Sequence, residues 1–352
     1  MRSWALLYKR IPILLFAASL LVIAGCGGSA VGPDAGTALP GPAPGTTTAE
    51  ASNILPLPAL APLDLGGRPL QVVATTSIIG DVVAQVGGDT IQLTTLIAPG
   101  QDPHSYEPAA RDLALVEAAD VIFVNGWDLE EALLTSLEQI GQEALIVPIS
   151  AGIEPLPVKE SDQAGKADQE VDRHHEGAAD PHVWFDVDNV RQWTRNVADV
   201  LSGLDPTNAE RYAANAAAYE GSLVELQAYA EAQLAQVPAE ERYLVTNHSA
   251  FNYFAHAYGF TVLGTVIPAA STLAEPSAND LVQLVATMKA HDLCTVFTET
   301  TVSDTLAQTV ASELDTCAEV QVVPLFVGSI GESGGYIEMF RTNVDRLVEG
   351  LT

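Results

Sequence analysis

The chain has 352 residues, 48% of them hydrophobic, and a formal net charge of −30 at pH 7. Such an excess of acidic groups excludes nucleic acid as a natural partner and favours cations. Beyond the amino-terminal region roughly 280 residues remain, more than a single core usually serves, so we expect two lobes.

Residues 1–26 have the layout of a secretory leader. Three basic residues precede an apolar run at 11–25, which is too short to span a bilayer comfortably. The run ends in "IAGC", which resembles the lipobox of bacterial lipoproteins. On this interpretation the chain is cut before Cys26, and Cys26 carries a lipid anchor. An ordinary signal peptide and an uncut membrane anchor are the alternatives.

Residues 27–69 are rich in Gly, Ala, Pro and Thr and have no period that would bury one face. This composition is typical of a flexible tether. Together with the anchor it predicts an exported protein held at the outer face of the cytoplasmic membrane, on the periplasmic or cell-surface side.

Residues 70–206 are the predicted N-terminal lobe, in which short β-branched runs alternate with helix-like stretches and a polar loop lies at 159–180. Strands that alternate with helices predict a parallel sheet with crossover helices. The predicted strands are 70–77, 91–98, 121–125 and 144–150, and the predicted helices are 78–87, 108–119 and 129–140.

Residues 207–237 form the clearest single helix of the sequence. Asp205 and Pro206 provide start signals and Pro238 a stop. Apolar and aromatic residues recur at spacings of three and four, so one stripe faces the protein along the whole helix. The helix would span roughly 45 Å at 1.5 Å per residue, and a rigid connection of this length limits hinge closure between lobes.

Residues 238–352 repeat the alternation of strands and helices. The predicted strands are 242–247, 261–268, 295–299 and 320–325, and the predicted helices are 249–258, 277–291, 303–315 and 336–350. The expected fold class is therefore α/β, with two lobes that each contain a four-stranded, mainly parallel sheet with flanking helices, joined by one long rigid interlobe helix.

Cys294 and Cys317 flank the penultimate strand–helix unit of the second lobe. An exported protein is in a compartment that allows a disulfide, which would lock this unit. Two buried free thiols are the alternative. A thiolate metal site would need more sulfur ligands.

Three histidines lie in distinctive loops. His104 follows the second predicted strand in "PGQDPHSYEP", His182 lies in "DPHVWFD", and His248 follows the first strand of the second lobe in "NHSAFNYF". Ligands collect at the carboxyl ends of strands in open α/β sheets, and three convergent imidazoles form a site suited to zinc. Spacing alone does not show convergence, and each histidine alone could be a capping or surface group.

These motifs, the long helix and the lipobox together resemble the metal-binding receptors of bacterial zinc and manganese ABC transporters, the cluster A-I solute-binding proteins, over essentially all of residues 70–352. The resemblance implies a monomeric binding protein without enzymatic activity that holds its ion between two lobes through His104, His182 and His248. It also implies a membrane permease, with its cytoplasmic ATPase, as the partner that receives the ion.

The sequence departs from the family pattern at Gly328, where many members supply a fourth ligand, an Asp. Glu299 and Glu332 are the candidates for that position. A helix cap and a solvated loop charge are their respective alternatives.

The family resemblance favours Zn²⁺ over Mn²⁺, because manganese receptors typically offer a carboxylate where His248 stands. It also implies that the acidic loop 159–180, with His174 and His175, gathers zinc loosely; a solvated loop is the alternative.

The neighbours of the histidines have predicted roles. Asp102, Asp180 and Asp186 are close enough in sequence to accept the second N–H of an imidazole. Trp184 and Phe185 are expected to form an apolar wall around the site.

Two other functions compete with the receptor. A three-histidine zinc hydrolase or hydratase would use an open fourth position, but no HExxH-type motif places a general base beside the ligands. Adhesion at the cell surface, known for some members of the family, is the other.

Overall fold

The structure of the protein is a computed structural model that describes residues 54–140, 144–158 and 179–352. The predicted leader with Cys26 and the pair His174 and His175 lie outside these residues. Within the described ranges, no helix is both long enough and apolar enough to cross a membrane.

A four-stranded parallel sheet with the strand order β2-β1-β3-β4 forms the N-terminal lobe. Its elements are β1 (Leu70–Ala74), α1 (Ser77–Gly87), β2 (Ile91–Thr95), α2 (Ala110–Glu117), β3 (Val121–Val124), α3 (Glu131–Ile140) and β4 (Leu145–Pro148). Every residue of β3 and nearly all of β1 are buried. The β-branched runs of β1 and β3 therefore belong to strands covered on both faces, as in α/β proteins.

The C-terminal lobe repeats this topology with the order β6-β5-β7-β8, again parallel throughout. Its elements are β5 (Tyr243–Thr246), β6 (Thr261–Thr265), β7 (Thr295–Glu299) and β8 (Gln321–Leu325), with the helices that we number α6 (Asn252–Tyr258), α7 (Ala278–Ala290), α8 (Thr305–Ser312) and α9 (Tyr336–Leu351). The predicted fold class of two four-stranded α/β lobes is confirmed.

The long helix α5 (Ala209–Leu234) has 26 residues, about 39 Å at 1.5 Å per residue. It starts later than predicted because Pro206–Asn208 form a 3-10 turn, in which Asp205 accepts hydrogen bonds from Asn208 and from the Tyr212 hydroxyl. The predicted stripe is buried from Tyr212 to Leu234. It packs on α1 of one lobe and on α9 of the other, so α5 spans both lobes.

A second long helix, α4 (Val187–Leu204), precedes α5 and packs along it. This helix was not predicted, although its sequence carries the signals of one. The side chain of Asp186 caps its first turn by accepting the Asp188 N–H at 2.9 Å. Valines, Trp193 and leucines then recur at helical spacing on the buried face.

The carboxyl end of the predicted tether lies against the N-terminal lobe. The carbonyl of Leu55 accepts the Gly152 N–H at 2.9 Å, and the Leu63 N–H donates to the carbonyl of Leu204 at 2.9 Å. Leucines of this stretch pack on the main core. The structure therefore differs here from a tether that runs to residue 69, because regularly placed leucines give residues 55–65 an apolar side.

Cys294 and Cys317 form a disulfide with a Cα–Cα distance of 5.7 Å. It joins the residue before β7 to the loop before β8. The predicted pairing is confirmed.

Candidate metal site

The structure brings together the three histidines that the sequence singles out. His104 lies in the loop between β2 and α2, His182 directly before a 3-10 turn that leads into α4, and His248 two residues after β5. All three are buried, with at most 3% of their surface exposed. Nε2 of His182 lies 3.3 Å from Nε2 of His104 and 3.1 Å from Nε2 of His248.

These distances fit a shared metal ion. Tetrahedral zinc at about 2.1 Å from each nitrogen separates neighbouring donor atoms by roughly 3.4 Å. The ligand atoms of the three side chains all lie within 4.8 Å of one another. Among the described residues, this is the group of histidines, cysteines and acids that converges closely enough to hold an ion.

Two of the ligand positions share one local structure, an Asp-Pro-His turn. Asp102 accepts the backbone N–H of His104 at 3.0 Å, and Asp180 accepts the backbone N–H of His182 at 3.0 Å. An aspartate that bonds to the backbone two residues on forms a tight local turn, and the intervening proline restricts it further. The repeated tripeptide therefore forms the same aspartate-to-backbone hydrogen bond at His104 and at His182.

Buried carboxylates orient two of the three imidazoles. Nδ1 of His182 lies 2.8 Å from Asp180 Oδ1, and Asn252 donates to the other oxygen of Asp180 at 2.9 Å. Nδ1 of His248 lies 2.8 Å from Glu299 Oε1. A proton on Nδ1 leaves the lone pair of Nε2 for a metal, and such partners also strengthen the ligand's basicity.

His104 lacks such a partner for its ring. Its buried Nδ1 has no hydrogen-bond partner, and the Glu131 carboxylate is 3.8 Å away. Asp102 does not bond to the ring, because its second oxygen accepts hydrogen bonds from the hydroxyls of Ser105 and Thr272. Of the three aspartates expected to partner imidazoles, Asp180 does so.

Burial and neighbouring charges shift the pKa values of the side chains at the site in different directions. Burial, with the adjacent His248 and His104, lowers the pKa of His182 to about 4 despite Asp180. Burial opposes ionisation of Glu299, but the adjacent His248 and a hydrogen bond from Asn247 lower the pKa of Glu299 to about 2. Burial likewise disfavours charge on His248, yet Glu299 raises the pKa of His248 above its ordinary value. His182 is thus neutral and His248 is paired with a carboxylate.

Neither candidate for a fourth ligand joins the cluster. Glu299 is turned toward Nδ1 of His248, and Glu332 is exposed. At Gly328 an added Cβ would lie 2.6 Å from Cδ of Pro103, so this position is packed directly against the His104 turn. The carbonyl of Val327 accepts the indole N–H of Trp184 at 3.0 Å.

The aromatic neighbours of His182 are buried, as expected for an apolar wall. The Trp184 ring lies 5.3 Å from that of His182, and Phe185 stacks on Phe251 at 4.4 Å. The sequence analysis missed Asn252 and Asn247, which hold the two carboxylates in place. Both lie inside the motif around His248, but a local pattern does not show which distant acid they reach.

Comparison with protein families identifies one match that spans most of the chain. Residues 72–350 match the family described as ZnuA, the periplasmic component A of a zinc-uptake complex. The manganese-binding lipoprotein MntA of Halalkalibacterium halodurans is 35% identical over 292 residues, which cover 81% of this chain and 90% of that protein. The manganese ABC transporter substrate-binding lipoprotein PsaA of Streptococcus pneumoniae is 32% identical over 295 residues, with coverage of 81% and 90%.

Solved structures show the same architecture. The periplasmic zinc-binding protein TroA of Treponema pallidum has 30% sequence identity and a TM-score of 0.69, covering 81% of this chain and 100% of TroA. A manganese-bound mutant periplasmic metal-binding protein from Candidatus Liberibacter asiaticus has 27% identity and a TM-score of 0.69, with coverage of 80% and 99%.

Proposed function

The chain belongs to the ZnuA family of metal-binding receptors of ABC transporters, and we propose that it captures Zn²⁺ outside the cytoplasm and delivers it to a permease. The family is a substrate-binding component of a transporter and not an enzyme, so the hydrolase alternative is dropped. The proposal places the ion between the two lobes, on Nε2 of His104, His182 and His248.

The convergence of three buried Nε2 atoms carries the proposal. Zinc accepts imidazole nitrogen readily, whereas manganese favours harder oxygen donors. Among the described residues, no carboxylate oxygen belongs to the convergent group. The names of the relatives do not agree on the metal, since MntA and PsaA are named for manganese and TroA for zinc. The choice of zinc therefore rests on the donor set of this chain.

A solvent molecule completes the coordination sphere in this proposal. Glu299 is engaged by His248 and Asn247, and Glu332 is exposed. Zinc held by three protein ligands commonly keeps a water in the fourth position. A receptor that must later give up its ion gains from a ligand that exchanges freely.

The remaining assignments follow from the sequence and the family. Cys26 carries the lipid anchor that keeps a monomeric receptor at the outer face of the membrane, within reach of the permease and its ATPase. Several relatives are named lipoproteins, which supports the anchor. His174 and His175 gather zinc loosely before it enters the buried site.

A metal competition tests both the ion and the site. We expect the metal-free protein, given equal zinc and manganese, to retain zinc in metal analysis after gel filtration. His182→Ala should weaken zinc binding by more than the 10–100-fold expected for loss of an outer partner. His256→Ala is the matched control, because that histidine is exposed on α6.

Two results would contradict the proposal separately. Retention of manganese in preference to zinc would overturn the choice of metal. Zinc binding by His182→Ala at the strength of the control would overturn the site.

A further inference from the structure

The three histidines differ in what holds their rings. Removing His182 or His248 would leave a buried carboxylate without its imidazole, which is costly in a protein interior. No such carboxylate is left behind when His104 moves, because its Nδ1 has no hydrogen-bond partner. The site thus combines two fixed donors with one that is less constrained.

The nearest carboxylate to the His104 ring belongs to Glu131. Its Oε1 lies 3.8 Å from Nδ1, about 1 Å beyond hydrogen-bond distance. Glu131 is in the first turn of α3, and 44% of its side chain is exposed, whereas Asp180 and Glu299 are buried. An exposed carboxylate can approach or leave an imidazole without crossing a packed core.

The loop that carries His104 meets the C-terminal lobe through two hydrogen bonds and the packing of Pro103 against Gly328. Asp102 accepts the Thr272 hydroxyl at 2.6 Å, and the Gly100 N–H donates to the Ser329 hydroxyl at 2.7 Å. Residues 98–109 contain no helix or strand. Residues 98–101, 105, 107 and 109 of this loop are exposed. Exposed segments without regular structure open at lower free energy than the core, so this loop can move while the other two proposed ligands stay in place.

We propose that Glu131 is a positioning residue that closes on Nδ1 of His104 when zinc is bound and withdraws when zinc is released, so that His104 is the first protein ligand to leave. A carboxylate on Nδ1 orients the ring and strengthens the Nε2–metal bond. Withdrawal of Glu131 weakens one bond of the three without disturbing the buried pairs of His182 and His248. This inference rests on the proposed zinc site and adds the order in which it opens.

Zinc release into an excess of a chromogenic chelator, followed by stopped flow, tests the role of Glu131. Glu131→Ala should release zinc roughly 10–100-fold faster than wild type, the usual effect of removing such a partner. Glu131→Gln should fall between the two, because its amide oxygen still accepts the N–H without the charge. Glu107→Ala, which removes an exposed acid from the His104 loop, is the matched control and should release zinc at the wild-type rate.

Nitrogen-15 NMR of the zinc-loaded protein measures a property that would not change if Glu131 had only a structural role. The Nδ1–H of His104 should exchange with water faster in Glu131→Ala than in wild type, whereas those of His182 and His248 should be unchanged. Equal release rates in wild type and Glu131→Ala, or equal exchange at His104, would overturn the inference.

The variant His104→Ala separates this inference from the proposed function. If it loses tight zinc binding while Glu131→Ala behaves as wild type, only the role of Glu131 is wrong. If it binds zinc as tightly as wild type, the proposed site itself is wrong.

Discussion

The N-terminal sheet has the order β2-β1-β3-β4 and the C-terminal sheet β6-β5-β7-β8, so β1 corresponds to β5 and β3 to β7. Both lobes place a buried glutamate where the two central strands end. In the first lobe Glu130 accepts hydrogen bonds from the Thr75 hydroxyl and the Asn125 N–H. In the second lobe Glu299 accepts from Asn247 and faces Nδ1 of His248.

The pKa values of the two glutamates shift in opposite directions because their hydrogen-bond donors differ. Burial raises the pKa of Glu130 above its ordinary value, although Thr75 and Asn125 pull the other way. The His248 imidazole outweighs the same burial penalty at Glu299, whose pKa falls to about 2. Neutral donors alone do not repay the desolvation of a buried carboxylate, whereas an imidazole that can carry a proton does. At this point the second lobe carries His248, one of the proposed metal ligands.

The largest effect should come from breaking the charged pair. His248→Ala removes a zinc ligand and leaves Glu299 buried without its imidazole. We expect loss of tight zinc binding and a fall of about 3–5 kcal/mol in the free energy of unfolding of the metal-free protein, measured by urea denaturation.

The double variant His248→Ala/Glu299→Gln checks that explanation. It should recover much of the lost stability, because no buried charge remains, but none of the zinc binding. A double variant no more stable than His248→Ala would show that the carboxylate is not the source of the cost.

A smaller effect is expected on the pH dependence of zinc binding. Zinc requires neutral imidazoles, so a bound proton competes with the metal. Glu299 raises the pKa of His248, so zinc affinity should begin to fall above pH 6.5 as the pH is lowered. The pKa of His182, about 4, adds nothing over this range.

Glu299→Gln should alter this profile in a characteristic way. Near pH 8 the variant should bind zinc about 10–100-fold more weakly, because the ring loses its charged partner. At lower pH the difference should narrow, because His248 without the carboxylate binds its proton less tightly. Competition with a chelator from roughly pH 5.5 to 8 measures both curves, and parallel curves would contradict the assignment.

The sequence identified the three proposed ligands better than the residues that bond to their rings. His104 and His182 share the Asp-Pro-His turn, and His248 follows a strand, but these local patterns did not show that the three converge. The family resemblance supplied that expectation. The partner of His248 lies 51 residues further along the chain. It is brought close because β7 is a neighbour of β5 in the sheet, and strand order is not visible in a local pattern.

The two Asp-Pro-His turns show a second limit. Asp180 bonds to both the backbone and the ring of its histidine, whereas Asp102 turns its second oxygen to Ser105 and Thr272. Identical tripeptides therefore give one imidazole ring that bonds to its aspartate and one that does not. The difference arises from residues of other elements, such as Thr272 in the opposite lobe.

The smallest effect should come from Glu130, whose pKa is raised by burial. Glu130→Gln keeps the shape of the side chain, and its amide oxygen can accept from Thr75 and Asn125 as the protonated carboxyl does. We expect the free energy of unfolding to change by less than about 1 kcal/mol, with zinc affinity unchanged. Urea denaturation and chelator competition measure the two quantities.

Glu130→Ala is the control for the small effect of Glu130→Gln. It leaves the Thr75 hydroxyl and the Asn125 N–H buried without an acceptor, at about 1–3 kcal/mol each. If Glu130→Gln were as destabilising as Glu130→Ala, the carboxyl of Glu130 would have to be ionised in the folded protein. The two lobes would then hold buried carboxylates of the same charge, and the imidazole of His248 would no longer explain why only one of them supports a metal ligand.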